Sequence, residues 1–339
     1  MMLKVNLALQ GGGAHGAFTW GVLDRLLDEK NFTFEGVSGA SAGAMNAVVM
    51  TDGWLNNGRQ GAQEALAEFW GAVSSDQSMT PNHGHLDAFS GLLLESTTYR
   101  MTQALLDFSK YLSPTELNPL GIDPLKDVIS RQIDFDRLRS ASPFKLFIAA
   151  TEANTGRAKL FRESELTELH LLASACLPTI HEAVVIDGVP YWDGGFSANP
   201  ALYPLVYECE ADDLLLVMLQ ALSYDKTPTS AEDIQERVVE MGFQNILLRE
   251  LRSLGELQRQ ADKSLVSLGH LERRLRSLHT HLITSDSYLD SLERATKFDT
   301  RGAFLAELKK RGQETADYWL SMEGSKLGVG SSIRLYDRF

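Results

Sequence analysis

The chain has 339 residues, 44% of them apolar and 23% charged, enough to bury a real core in one large domain or two modest ones. A formal net charge of −13 argues against nucleic acid as a partner and against general attraction to anionic lipid. Two cysteines, Cys176 and Cys209, are too few for a disulfide framework and too isolated for a zinc site, so both are expected as buried free thiols.

The first residues lack the apolar region and cleavage site of a signal peptide. No apolar run reaches the roughly 18 residues of a spanning helix. The expectation is a soluble, cytoplasmic chain. No internal repeat or low-complexity segment interrupts it.

Residues 5–9 alternate as a short buried strand and run into Gln10-Gly11-Gly12-Gly13-Ala14-His15-Gly16. Phe18, Val22, Leu23, Leu26 and Leu27 then recur at helical spacing, so a glycine loop joins a strand to a helix N-terminus. The loop contains G-x-G-x-x-G, which suits a dinucleotide only if an acidic residue ends a second strand about 20 residues on. Glu35 stands near that distance but leads straight into the next motif, leaving no room for the rest of a mononucleotide unit. The better reading is a backbone oxyanion site, with the amides of Gly11, Gly12, Gly13, Ala14 and Gly16 as candidates. A plain tight turn is the alternative.

Next comes Gly39-Ala40-Ser41-Ala42-Gly43, a G-x-S-x-G sequence with a β-like run before it and an alanine-rich helical run after it. That strand–turn–helix setting is what a nucleophile elbow requires. Gly39 and Gly43 are bare enough for the strand and helix to approach, and Ser41 is lifted to a helix N-terminus.

Residues 51–61 read as turn-rich and residues 63–73 as a helix. Residues 74–91 read as a long polar loop or lid, with His83 and His85 as solvated loop side chains rather than metal ligands. Residues 92–112 carry apolar side chains able to cover a pocket. A short helix is expected at 124–133, a strand at 144–150 with 159–161 pairing back, and a helix at 166–175. Val184–Ile186 and Val189–Tyr191 read as a hairpin around Asp187-Gly188. Trp192-Asp193-Gly194-Gly195 follows directly, then Asn199-Pro200, a helical run to 207 and an apolar strand at 214–219. Helix dominates 231–278, where leucines at core spacing oppose arginines and lysines. That region is expected to pack on the core, with a membrane-surface or oligomer contact as the alternative. A last strand near 281–285 and a helix at 304–322 complete the chain. The alternation predicts an α/β fold with a mostly parallel sheet and helices on both faces.

A serine nucleophile needs a base and oxyanion donors. A Ser–acid–His triad finds no histidine in a convincing catalytic loop, since His270, His279 and His281 lie in or beside the charged helical stretch. A carboxylate acting directly is the other route, and Asp193 is its best candidate. Between Trp192 and a pair of glycines it would be desolvated, which raises a carboxyl pKa and makes it a better base.

The ordered motifs, Gly11–Gly16, Gly39–Gly43 and Asp193-Gly194-Gly195, resemble the patatin-like phospholipase family. The resemblance spans Leu7 to Gly195. It implies a Ser–Asp dyad with Ser41 as nucleophile and Asp193 as base, and a glycine loop supplying oxyanion amides. It implies no metal or other cofactor. The substrates it implies are acyl esters of phospholipids, lysophospholipids or related lipids, with transient contact at a membrane surface. The alternatives are a serine esterase or acyltransferase on other acyl esters, and a non-catalytic binding protein on the same fold. Residues 5–219 are expected as the catalytic domain. Residues 220–339 are expected as a mainly helical region packed on it or continuing it, with oligomerisation possible through 231–278. His15 stands where the family usually has Arg or Lys, and a partly charged imidazole there is expected to alter the pH dependence.

Overall fold

The computed structural model describes residues 2–74, 123–220, 227–263, 269–284, 287–292 and 294–339. The expected loop at 74–91, His83, His85 and the pocket cover at 92–112 lie largely or wholly outside them.

The strands are β1 (Leu3–Leu9), β2 (Phe32–Ala40), β3 (Lys145–Glu152), β4 (Ala158–Arg162), β5 (Val184–Ile186), β6 (Val189–Asp193), β7 (Asp213–Met218) and β8 (His279–Thr284). They form one 8-stranded sheet in the order β5-β6-β3-β2-β1-β7-β8, with β4 also on β3. The stretch β3-β2-β1-β7-β8 is parallel, while β4 and β6 run antiparallel to β3 and β5 antiparallel to β6.

The helices are α1 (Gly16–Leu27), α2 (Ala42–Val73), α3 (Pro124–Gln132), α4 (Phe135–Ala141), α5 (Glu168–Ser174), α6 (Tyr203–Tyr207), α7 (Ala231–Lys263), α8 (His270–Ser277), α9 (Ser287–Ser291), α10 (Gly302–Glu323) and α11 (Leu335–Arg338). They cover both faces, and strand alternation divides the core between them. Leu7, Leu9, Leu215 and Val217 point toward α1, α2 and α10. Ala8, Leu214, Leu216 and Met218 point toward α6, α7 and α8. In α7 only part of the helix is covered: Leu247, Leu251 and Leu254 are buried, while Ile234, Val238 and Met241 are exposed. No helix among the described residues is long and apolar enough to cross a membrane.

The last third of the chain is woven into this sheet. β8 pairs in parallel with β7. α10 crosses α1 where Gly21 faces the Lys309 carbonyl and Gly312 faces the Phe18 carbonyl, both too close for a Cβ. Cys176 and Cys209 are buried free thiols.

Residues 51–61 are not a turn. α2 runs through them, broken only at Asn57 (φ −151°, ψ 41°) and Gly58 (φ 55°, ψ −135°). Asn and Gly suggest a loop by composition, but Thr51, Asp52 and Gly53 are buried, and Asp52 accepts a 2.7 Å bond from Arg137 of α4. Tertiary packing therefore carries the helix through a segment of weak propensity. Glu35 also has a plain structural role: its carboxylate accepts from the Glu210 and Ala211 amides at 2.9 and 2.8 Å.

Candidate active site

One strand brings the two chemistry-bearing residues together. β3 has two edges, and β4 occupies one of them across Phe147–Thr151. The other edge holds β2, whose Ala40 lies opposite Ala149. At the next residue, Ala150, that same edge passes to β6 and faces Asp193. β2 and β6 run in opposite senses, so the end of one meets the end of the other. Ser41 follows Ala40, and it emerges beside Asp193.

Ser41 takes φ 53° and ψ −126° and caps α2, a sharp reversal in a backbone region that L-residues rarely adopt. Its amide donates to Ser174 Oγ at 3.0 Å, so α5 braces the reversal. A Cβ at Gly43 would run into the Leu9 carbonyl, which explains why that position carries no side chain.

Asp193 is buried, with 2% of its surface exposed. Burial pushes its carboxyl up to about 6, while hydrogen bonds from the Gly195 amide and the Ser41 hydroxyl oppose that shift. The Gly195 amide donates to Asp193 Oδ1 at 2.7 Å within the tight turn Gly194–Phe196. Asp193 is fixed at its backbone too. Its amide donates to the Cys176 carbonyl at 2.8 Å, and its carbonyl accepts from Thr151 Oγ1 at 2.8 Å.

Ser41 and Asp193 share a cleft with Gly11, Gly12, Gly13, Leu177, Asn199 and Gln220. The cleft has a volume of about 100 Å3 and is open to solvent. Its floor is tied at the strand ends by Gln10, whose Oε1 accepts from the Leu219 and Gln220 amides at 2.7 and 3.1 Å.

The glycine loop divides in its roles. The Gly11 amide already donates to Asn199 Oδ1 at 2.8 Å, so its proton is engaged. The Gly16 amide is engaged by the Gly13 and Ala14 carbonyls, and neither Ala14 nor Gly16 lines the cleft. The Gly16 amide thus helps close the turn Gly13–His15, while a side chain from beyond β6 holds that of Gly11. Gly12 and Gly13 line the cleft, and their amides have no partner among the described residues.

His15 also departs from expectation. It is buried, and burial together with nearby Lys297 lowers its pKa to about 3. The imidazole is therefore neutral across the physiological range, not partly charged. Its Nε2 shares a 2.8 Å hydrogen bond with Thr296 Oγ1. Among the described residues no histidine lines the cleft. His281 binds Asp213 Oδ1 at 2.9 Å near the start of β7, toward the opposite end of the sheet. His170 closes the N-terminus of α5 against Thr167.

The opposite wall comes from the C-terminal region, which local sequence patterns did not reveal. α7 contributes Glu240 and Phe243, and the turn Arg294–Phe298 contributes Lys297 and Phe298. Phe243 packs on Phe196, with ring centroids 4.4 Å apart. Gly13, at φ 60°, lies directly against the Lys297 carbonyl. Asn199 was visible only as part of an Asn-Pro pair just beyond the glycines, without an assigned role.

A family model described as patatin-like phospholipase matches residues 7–206. The search of curated proteins returned no match. Among solved structures, VipD from Legionella pneumophila is similar at 13% identity and TM-score 0.39, over 93% of this chain and 67% of that one. ExoU, solved in complex with SpcU from Pseudomonas aeruginosa, is similar at 14% identity and TM-score 0.30, over 94% of this chain and 53% of that one. This chain thus spans about two thirds of VipD and about half of ExoU.

Proposed function

We propose that this chain, which belongs to the patatin-like phospholipase family, hydrolyses the acyl esters of phospholipids or lysophospholipids through Ser41 and Asp193. The family consists of lipid acyl hydrolases, and the cleft chemistry fits that work. Asp193, as the carboxylate, takes the Ser41 hydroxyl proton as Oγ attacks the ester carbonyl. The carbonyl oxygen becomes an oxyanion and meets the Gly12 and Gly13 amides. Collapse of the tetrahedral intermediate breaks the ester C–O bond, and the proton passes from Asp193 to the leaving alkoxide. Water then attacks the acyl-serine, giving its proton to Asp193. The fatty acid leaves and Ser41 regains its proton.

The observation that carries this reading is that Ser41 and a buried Asp193 share one cleft with bare amides and no described histidine. A fluorophosphonate probe and a lysophospholipid turnover assay test it. Wild type should be labelled and should release fatty acid; Ser41→Ala should do neither, and Asp193→Asn should lose at least about 10³-fold in kcat. Full turnover by Ser41→Ala would overturn the assignment. We extend the proposal to the architecture: residues 220–339 complete the catalytic unit rather than forming a separate domain.

A further inference from the structure

Asn199 is buried and lines the cleft, yet the hydrolytic steps leave it unused. Its Oδ1 accepts from the Gly11 amide at 2.8 Å, which fixes the carboxamide end for end. The other end, Nδ2, has no hydrogen-bond partner among the described residues. Buried polar groups are nearly always paired, and an unpaired donor in a cleft is a group held for what enters it.

The packing at Gly11 ties this side chain to the nucleophile. A Cβ there would lie 2.9 Å from Ser41 Cβ, 3.1 Å from Asn199 Oδ1 and 2.7 Å from the Ala40 carbonyl oxygen. Only a bare residue fits between the elbow and the carboxamide, and both side chains come within contact distance of the same point. The Gly11 bond also has a chemical effect. An amide whose oxygen accepts a hydrogen bond is polarised, and its own N–H becomes a stronger donor. The pull of the engaged Gly11 proton is thus passed through the carboxamide to Nδ2.

We infer that Asn199 is a catalytic residue whose Nδ2 donates to the ester oxygen as it becomes an oxyanion, beside the Gly12 and Gly13 amides. The inference rests on the hydrolase reading and adds a donor to its steps. Ser41 Oγ bonds to the ester carbon, and the carbonyl π pair moves onto oxygen. Nδ2–H donates to that oxygen and keeps its proton throughout. Gly11 orients the carboxamide before the charge appears, which is what makes such a donor effective. A carboxamide carries no charge, so unlike an arginine or lysine it leaves Asp193 free to act as the base.

The test separates the two ends of the side chain. Asn199→Ala loses both ends and adds no charge. Asn199→Asp keeps an oxygen for the Gly11 amide and loses the donor. Asn199→Ala should lower kcat for a lysophospholipid about 100-fold with KM within about twofold, and Asn199→Asp should fall at least as far. A trifluoromethyl ketone bearing the same acyl chain forms an oxyanion on Ser41, and its inhibition of Asn199→Ala should weaken by the same factor as kcat. Loss in Asn199→Ala alone would mean that Asn199 only braces the glycine loop. Loss in Asn199→Asp alone would mean that the added charge is responsible. Loss in neither, or loss through KM, would equally overturn the inference. If Asn199→Ala does not fold, Asn199→Leu, of nearly the wild-type size, takes its place. Wild type that neither turns over the lipid nor reacts with a fluorophosphonate would sink the hydrolase reading itself. Active wild type with equally active Asn199 variants would sink this inference alone.

Discussion

The Asp193 carboxyl titrates near 6 because burial opposes its charge more than the Gly195 amide and the Ser41 hydroxyl support it. A base must be ionised to work, so kcat/KM should level off above about pH 6 and fall tenfold per unit below it. A pH–rate profile on a neutral ester checks this, and activity undiminished at pH 4.5 would exclude Asp193 as the base. The same shift has an opposite sign for stability. A raised native pKa favours the fold when the group is protonated, below about 4, and that contribution is lost as pH rises through about 6. Holding the carboxylate at pH 8 costs roughly 3 kcal/mol for a shift of about two units. Asp193→Asn should therefore be more stable than wild type at pH 8 by up to about 3 kcal/mol, and nearly equal to it at pH 3.5. Urea unfolding at the two pH values measures it. His15, held neutral down to about pH 4, should add no inflection to the pH–rate profile, and its effect on stability is common to wild type and Asp193→Asn.

Elements show why some of this was legible in the sequence and some was not. The glycine loop, the elbow and the Asp-Gly-Gly turn are each local: a strand end, a reversal and a helix start, whose demands appear within a few residues. The α/β class followed from alternating periodicities, and the strand–loop–helix settings of Ser41 and the glycine loop were readable from flanking residues. The edge of β3 that passes from Ala40 to Asp193 was not readable, since register is a property of pairing. Nor was the turn Arg294–Phe298, whose sequence has no signal of its own and acquires a role only by packing on Gly13 and His15. At this scale, Thr296→Val should cost about 1–3 kcal/mol by leaving buried His15 Nε2 without its partner. A thermal melt checks it, and an unchanged Tm would show that the turn does not brace the loop. Gly312→Ala should likewise cost about 1–3 kcal/mol, because the added methyl forces α10 away from α1 at the Phe18 carbonyl.

The whole molecule ties its two ends together. β8 completes the sheet beside β7, α10 lies on α1, and the cleft wall opposite Ser41 draws on Glu240, Phe243, Lys297 and Phe298. The family match ends at residue 206, yet a chain cut at 220 would lose that wall and expose the buried faces of α1 and β7. A fragment of residues 1–220 should therefore aggregate and fail to react with a fluorophosphonate. A soluble, labelled fragment would show that the catalytic unit is complete without the C-terminal third.

The position of β1 has a consequence in time. It sits between β2 and β7, and its pairing with β7 matches Val5 with Asp213 and Leu9 with Val217. At about 5–20 residues per second, a ribosome needs about 10–40 s to make the intervening chain. For that interval the nascent protein holds its first strand with one hydrogen-bonding edge open, which makes it a client for whatever in the cell shields unfinished sheets.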